Sequence, residues 1–422
     1  MKTHPTTQPL PWQVFVPLLL AMFASAIGYG FLLPILPRIL ESIAATSDPE
    51  TLSRHTGLLT GIYTLPVFFF APLWGRLSDH WGPRPVTLLG LAGFAVTLAL
   101  FVAVSSLPLL YLDRALGGVF AAAIAPAVYA FVSDRTPSES LRARRFAILN
   151  VSGSAGFLVG PMLGSLTLRI VYTDIPHLAG PLSYWPPVAL ISIFSLLVGC
   201  CVFALVPSDH NHEWNAVSTT SQTRNRAALL RLLAISFVAA GAVGAFEVGL
   251  ALRGTQTLGM NLSDIGLMFT ECSVVMLAVQ FAVFSPFVKP DVTRLLLTPA
   301  LLVFALGLVA IPLMTSRLSL AITVAIVAGS AGIISPIATY WISVAAGERQ
   351  GAALGQQTSA ASLGQTVGSA SGGLLFNVTF LSNATFTLTA VIVLASVFAS
   401  VRVPRLLAES AARMSTREGS EP

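Results

Sequence analysis

The chain has 422 residues, of which 55% are hydrophobic and 10% are charged, and its formal net charge is +5. An ordinary soluble domain has about 25% charged residues, so a soluble fold of this composition would leave too much apolar surface in water. The basic residues are scattered through short connections and form no dense patch with interleaved aromatic residues, which argues against a nucleic-acid partner. Because each membrane crossing needs roughly 20 residues, the length favours about twelve crossings and no large domain outside the membrane.

Long apolar runs follow one another along the chain. They fall at 12–36, 56–75, 85–105, 107–132, 146–168, 185–206, 232–253, 263–288, 295–314, 318–345, 351–376 and 379–401. Runs of this length predict helices, since unpaired backbone is not tolerated in hydrocarbon and a barrel strand is shorter. We therefore expect an all-α integral membrane protein with a six-helix bundle over 1–206, a cytoplasmic linker over 207–227, a second six-helix bundle over 228–404 and a cytoplasmic tail over 405–422.

Arginine and lysine residues are distributed unevenly between alternate connections. If the N-terminus is cytoplasmic, the outer connections hold only Arg38, Arg54, Arg169 and Arg317, and most of the 23 basic residues face the cytoplasm. This asymmetry predicts a multi-pass protein of the cell inner membrane with both termini in the cytoplasm. The three cysteines lie inside apolar runs and match no metal or disulfide spacing, so we expect no metal and no cofactor.

The connection after the second run reads GRLSDHWGPR over residues 75–84. It matches the pattern G-x-L-[AS]-D-x-x-G-x-R, and in this connection the chain resembles the major facilitator superfamily. The resemblance implies the major facilitator fold, two six-helix bundles related by a pseudo-two-fold axis. It also implies a conformational latch at Gly75, Asp79, Gly82 and Arg84, in which Asp79 faces a helix N-terminus and a neighbouring arginine. The alternative is a simple positive-inside turn.

The fourth run contains an arginine two turns from its outer end. Leu110, Arg114 and Gly118 resemble the family motif L-x-x-x-R-x-x-x-G, which implies that Arg114 takes part in proton transfer. An arginine that reaches outward to the membrane surface is the alternative. Asp113 is its neighbour, but it points about 100° away on a helix and so does not simply pair with Arg114.

The fifth run carries Gly156, Gly160, Pro161 and Gly164. This run resembles the G-x-x-x-G-P-x-x-G-G signature of exporters and antiporters in the superfamily, with Ser165 in place of the last glycine. Glycines four residues apart allow close helix approach, and plain helix packing is the alternative interpretation. The eleventh run, with glycines between residues 364 and 373, looks like the same element in the second half, although glycine and serine packing explains it equally well.

Residues 28–37, at the end of the first run, are similar to the opening helix of tetracycline and multidrug antiporters. Ser25 stands where many of those antiporters have an aspartate, so that carboxylate is not the proton site here. The remaining carboxylates within apolar runs are Asp113, Glu247 and Glu271. A buried carboxyl group can bind and release a proton as its hydration changes; the alternative is a carboxylate fixed structurally by Arg114 or Arg253.

Polar and aromatic side chains inside the apolar runs are candidates for lining a substrate cavity. They are Tyr29, Asn150, Gln280, Tyr340, Trp341, Gln356, Gln357 and Gln365. For each of them alone, helix packing is an equally good interpretation.

No G-x-x-x-x-G-K-[ST] loop is present, which favours an ion gradient as the energy source. We predict a monomeric secondary transporter in the lipid bilayer that exports small amphipathic or drug-like molecules by alternating access in exchange for protons. A dedicated exporter of one metabolite, such as a siderophore, is the nearest alternative, and an importer is disfavoured by the fifth run. No H-E-x-x-H or G-x-S-x-G pattern occurs, so we expect no enzyme; a sensor that kept the fold is the alternative from another class.

Overall fold

The computed structural model describes residues 10–44, 47–136, 139–174, 185–208, 226–283, 290–346, 350–378 and 383–406. These residues form twelve α-helices and no strand. The helices are α1 (Trp12–Ala44), α2 (Pro49–Trp81), α3 (Pro83–Leu100), α4 (Leu107–Asp134), α5 (Glu139–Asp174), α6 (Trp185–Leu205), α7 (Arg226–Leu252), α8 (Leu262–Val283), α9 (Pro290–Ala310), α10 (Arg317–Ala346), α11 (Gln350–Phe376) and α12 (Ala384–Val401). A π-helical turn, Arg253–Thr257, continues α7.

Several helices begin or end well outside the apolar runs that predicted them. The first run ends at residue 36, but α1 continues to Ala44, and α2 begins at Pro49 instead of residue 56. Asp48 caps α2: its carboxylate accepts a hydrogen bond of 2.9 Å from the Thr51 amide, and Pro49 occupies the first turn. Caps and polar end turns extend a helix beyond the hydrocarbon, so hydropathy locates a span but not its ends.

Eleven of the described helices are long and apolar enough to cross a membrane, which makes the chain a multi-pass membrane protein. The exception is α11, which is rich in glycine, serine, threonine and glutamine. It packs mainly against α7 and α2, so its polar side chains are surrounded largely by protein. An intramembrane helix of this composition is tolerated where its neighbours cover it.

Helix packing follows the same order in α1–α6 and in α7–α12. In the first set α1 packs on α5, α2 on α4, and α3 on α4 and α6. In the second set α7 packs on α11, α8 on α10, and α9 on α10 and α12. The two sets meet where α2 packs on α11 and α5 on α8, which is one contact and its pseudo-symmetric counterpart. We call the two sets the first and second halves. The predicted linker falls mostly outside the described residues, as does the predicted tail beyond residue 406, so the predicted boundaries stay a prediction.

Glycines bring the paired helices of each half into backbone contact. A Cβ atom added to Gly160 on α5 would lie 2.6 Å from the carbonyl oxygen of Ile27 on α1. A Cβ atom added to Gly368 on α11 would overlap the carbonyl oxygen of Gly241 on α7. The predicted exporter-type element and its predicted repeat thus occupy equivalent contacts. Each contact lies within its own half, α1 with α5 in the first and α7 with α11 in the second, and not between the halves.

Candidate functional site

A carboxylate lies at the centre of the molecule, where the two halves meet. Glu247 on α7 is buried, with 5% of its surface exposed. Its Oε2 atom accepts a hydrogen bond of 3.1 Å from the Tyr29 hydroxyl of α1 and one of 2.9 Å from Nε2 of Gln365 of α11. Gln365 Nε2 also donates to the Tyr29 hydroxyl oxygen at 3.0 Å. We call Tyr29, Glu247 and Gln365 the central triad; it joins one helix of the first half to two helices of the second.

Aromatic rings surround the first-half side of the triad. The Tyr29 ring stacks on Tyr63 of α2 with centroids 5.2 Å apart, and Phe157 of α5 lies 5.9 Å away. The Arg114 guanidinium of α4 lies 4.2 Å from the centroid of the Tyr63 ring. Arg114 is buried, and its Nε has no hydrogen-bond partner among the described residues. A buried cation over an aromatic face is favourable when desolvated, so Tyr63 stabilises the positive charge.

The ionisable groups of the site are therefore divided between the halves. Arg114 belongs to the first half and contacts Tyr63, whereas Glu247 belongs to the second half and bonds to Tyr29. The stack of Tyr29 on Tyr63 connects the two groups.

The other two predicted proton sites lie in different surroundings. Asp113 is half-buried and forms no ion pair with Arg114, which agrees with their angular separation on α4. Glu271 on α8 is also half-buried and forms no hydrogen bond or ion pair with the described residues. Arg253 was one of the two arginines expected as a structural partner of a carboxylate. It donates instead to the carbonyl oxygens of Pro312 and Met314, each at 2.9 Å. Among these carboxylates, Glu247 alone joins the two halves.

A small cavity adjoins the triad on the side of the second half. Its wall is apolar apart from the Glu247 carboxylate and the Cys272 thiol. The lining residues are Phe157, Val243, Phe246, Glu247, Phe269, Cys272, Met276, Val327, Ala328 and Ala331. The cavity has room for about one water molecule. Its mostly apolar wall with few polar groups resembles the lining of sites for amphipathic molecules.

Several of the predicted cavity residues are engaged in helix packing. Trp341 is 6% exposed within the core of the second half, and its indole N–H donates to the Thr293 hydroxyl at 3.0 Å. Gln357 is buried and donates to the Thr339 hydroxyl at 2.6 Å. Gln356, its neighbour on α11, is exposed. The structure thus separates two adjacent amides that the sequence treats alike.

The remaining cavity candidates lie apart from the triad. Tyr340 packs edge-on against the Trp341 ring at 5.2 Å. Asn150 is exposed and accepts a hydrogen bond of 2.8 Å from the Tyr129 hydroxyl, within the first half. Gln280 contacts Ser154 at 3.5 Å, which joins α8 to α5 across the halves.

The predicted latch lies at the turn between α2 and α3. Gly82 has a φ of +88°, a conformation that favours glycine, and its N–H closes α2 on the Ser78 carbonyl oxygen. Arg84 donates to the carbonyl oxygen of Phe203 near the end of α6 and lies 4.8 Å from the Phe203 ring centroid. The contact of Arg84 is therefore with its own half, at a helix C-terminus that attracts cations. The side chain of Asp79 lies outside the described part of the chain, so its role stays a prediction.

Sequence reasoning missed Tyr63 and Phe157, the two rings that pack on Tyr29. Phe157 follows Gly156 in the exporter-type element, and Tyr63 is a rare tyrosine within an apolar run. Both features are visible in the sequence, but only the packing of α2 and α5 against α1 shows that the rings meet.

Two six-helix halves with a buried polar centre between them define a membrane transporter in which the halves move relative to each other. The chain belongs to the major facilitator superfamily, whose family model matches residues 18–369.

Similar proteins include several named for drug resistance. Multidrug resistance protein 2 of Bacillus subtilis is 25% identical over 86% of this chain and 89% of its own length. The class C tetracycline resistance protein of Escherichia coli is 30% identical, but over only 50% of this chain and 52% of its own length. The crystal structure of the human organic anion transporter MFSD10 (TETRAN) superposes with a TM-score of 0.71 over 93% of this chain and 100% of that chain. At 22% identity, that likeness concerns the fold alone.

Proposed function

We propose that the protein exports small amphipathic or drug-like molecules by alternating access in exchange for protons. The relatives named for multidrug and tetracycline resistance support export of such molecules. The observation that carries proton coupling is the Glu247 carboxylate, which is buried and hydrogen-bonded across the boundary between the halves. The exporter of a single metabolite, the importer and the non-transporting sensor are not favoured by any contact in the site.

Protonation of Glu247 links the gradient to the movement of the halves. The charged carboxylate accepts two charge-assisted hydrogen bonds, one of them from Tyr29 of the opposite half. Proton binding neutralises the acceptor, so it weakens both these bonds. A ligand shifts a conformational equilibrium only through its different affinity for the two states, and the Tyr29 bond provides that difference for the proton.

The adjoining cavity has room for about one water molecule, so the surrounding helices must move apart to admit cargo beside the same carboxylate. Phe246 and Phe269 would then offer apolar surface to the cargo, and Glu247 lies in the same wall. A molecule that enters beside Glu247 changes the hydration of the carboxylate and therefore its affinity for protons. Cargo and proton binding are thereby coupled without direct contact between them.

The proposal includes an inner-membrane location with both termini in the cytoplasm, a monomer embedded in lipid, and no enzymatic activity. The bias of basic residues supports the orientation. The latch at Asp79 and Arg84 lies on the cytoplasmic side in this orientation.

The test is flux in proteoliposomes under an imposed pH gradient, with a panel of cationic dyes and antibiotics. We expect the parent to move several unrelated compounds, and Glu247→Gln to bind them but lose gradient-driven movement. Glu271→Gln examines the rival carboxylate, and Glu41→Gln, at the exposed end of α1, is the control for loss of a charge. Full gradient-driven transport by Glu247→Gln, or tight binding without flux by the parent, contradicts the proposal.

A further inference from the structure

At one end of the molecule, two amide side chains of the second half bind the first turn of α2. This distal end lies opposite the end at which α1 begins and α12 ends. Gln256, in the π-helical turn after α7, donates to the Pro49 carbonyl oxygen at 3.1 Å. Asn377, just after α11, donates to the same oxygen at 2.7 Å. One backbone carbonyl of the first half thus accepts hydrogen bonds from two amide side chains of the second half.

The two amides also contact each other, which closes the cluster. Nδ2 of Asn377 lies 3.0 Å from Oε1 of Gln256 and 3.1 Å from the Ser53 hydroxyl oxygen. One turn below, a Cβ atom added to Gly373 on α11 would overlap the Ser53 carbonyl oxygen. The halves are therefore in side-chain and backbone contact at the distal end.

The opposite, proximal end has no such contact at two described glycines of the same helices. Gly75 on α2 and Gly355 on α11 lie toward that end. A Cβ atom added to either of them meets nothing within 4 Å. The glycines of α2 and α11 are thus tightly packed at the distal end and unpacked at the proximal end.

We propose that Gln256 and Asn377 form a neutral gate that closes the distal side of the transporter while the centre is open to the proximal side. This inference rests on the alternating-access cycle proposed above. The gate must break for the distal side to open, because Pro49 and the two amides belong to different halves. Its hydrogen bonds join uncharged groups. When the gate opens, these groups form hydrogen bonds to water instead, so the net free-energy cost of opening is modest. The gate therefore opens without a proton, and protons act on the cycle at Glu247.

The charged groups beside the gate have partners within their own half. Asp48 accepts from Thr51, and Glu50 pairs with Arg54 at 3.0 Å. The two amides, by contrast, bond across the boundary between the halves.

Arg253 positions the turn that carries Gln256. Its guanidinium is buried and donates to the carbonyl oxygens of Pro312 and Met314, in the connection between α9 and α10. The π-helical turn is thereby fixed to the body of the second half. Gln256 moves with that half when the gate opens.

The test uses a single cysteine between the halves as a reporter of gate opening. All three native cysteines are replaced, and Thr64→Cys is added, since Thr64 is 9% exposed and its hydroxyl oxygen lies 2.9 Å from that of Thr366 on α11. A membrane-impermeant maleimide is applied from each side of oriented vesicles in turn. We expect Asn377→Ala and Gln256→Ala each to raise labelling from the distal side by about tenfold. Labelling of the double variant should rise by less than the product of the two single-variant increases, because the two amides share one acceptor.

Ser42→Ala is the matched control, since Ser42 lies at the distal end and its hydroxyl bonds the Ile39 carbonyl oxygen of its own helix. It should label like the parent. Distal labelling within about twofold of the parent in all gate variants overturns the proposal. If Asn377→Ala does not fold, Gln256→Ala decides alone. Labelling requires neither cargo nor a gradient, so a failure of export leaves this result intact, and a failure of the gate leaves the export test intact.

Discussion

Glu247, Tyr29 and Gln365 illustrate how a residue gains its role from its partners. Each is a polar side chain inside an apolar run, and each was selected from the sequence for that reason alone. Tyr29 and Glu247 are separated by 218 positions, and no local pattern predicts their contact. The hydrogen bonds exist because α1, α7 and α11 converge at the centre. Sequence reasoning therefore identified the residues but not the triad.

The Tyr29 hydroxyl can be removed while its ring is kept. Tyr29→Phe retains the stack on Tyr63 but loses the bond to Glu247. A hydrogen bond to a charged group is worth about 1.5–3 kcal/mol, so we expect gradient-driven transport to fall by at least about tenfold. Initial flux rates in proteoliposomes measure the effect, and thermal unfolding in detergent checks that the variant is folded. Unchanged flux would show that the hydroxyl does not link protonation to movement.

The paired helices illustrate what a glycine pattern does and does not reveal. The spacing of Gly156, Gly160 and Gly164 predicted a close approach of another helix, and the structure places α1 in that contact. The identity of the neighbouring helix depends on the whole bundle, so the pattern did not give it. The same limit explains the helix ends, where Asp48 and Pro49 extend α2 beyond its apolar run.

Two glycines of α5 provide a matched pair for testing this packing. A Cβ atom on Gly160 would lie 2.6 Å from backbone atoms of α1, whereas one on Gly153 meets nothing within 4 Å. We expect Gly160→Ala to lower the free energy of unfolding by about 1–3 kcal/mol, because the helices must separate to admit the methyl group. Gly153→Ala should have no such cost, since alanine also favours the helix. Thermal unfolding in detergent compares the two, and equal stabilities would contradict close packing of α1 and α5.

At the scale of the whole molecule, the two halves share a packing pattern but not a site. Gly156 on α5 contacts Phe23 of α1, and Gly364 on α11 makes the equivalent contact with Phe237 of α7. When the halves are aligned on these two contacts, Leu33 of α1 corresponds to Glu247, and Phe157 of α5 corresponds to Gln365. The repeat was predictable from the glycines of the eleventh run. The asymmetry of the centre was not, because it depends on which equivalent positions hold polar side chains.

The asymmetry can be tested by moving the carboxylate. In the double variant Glu247→Leu with Leu33→Glu, the new carboxylate lies in an apolar cluster. A buried charge without a partner costs about 3–5 kcal/mol, so we expect the double variant to be less stable than Glu247→Leu and equally inactive. Unfolding temperature and proteoliposome flux measure the two effects. Recovery of transport by the second substitution would show that the position of the charge between the halves is immaterial.

The polarity of α11 has a consequence for how the protein is made. A helix rich in glutamine, serine and glycine is a poor substrate for lateral release from the translocon into lipid, since each polar side chain raises the cost of insertion. Its binding surfaces, α2 and α7, are synthesised earlier and lie in different halves. Insertion of α11 therefore depends on helices already in the bilayer, so α2 and α7 must be in place before α11 can be inserted.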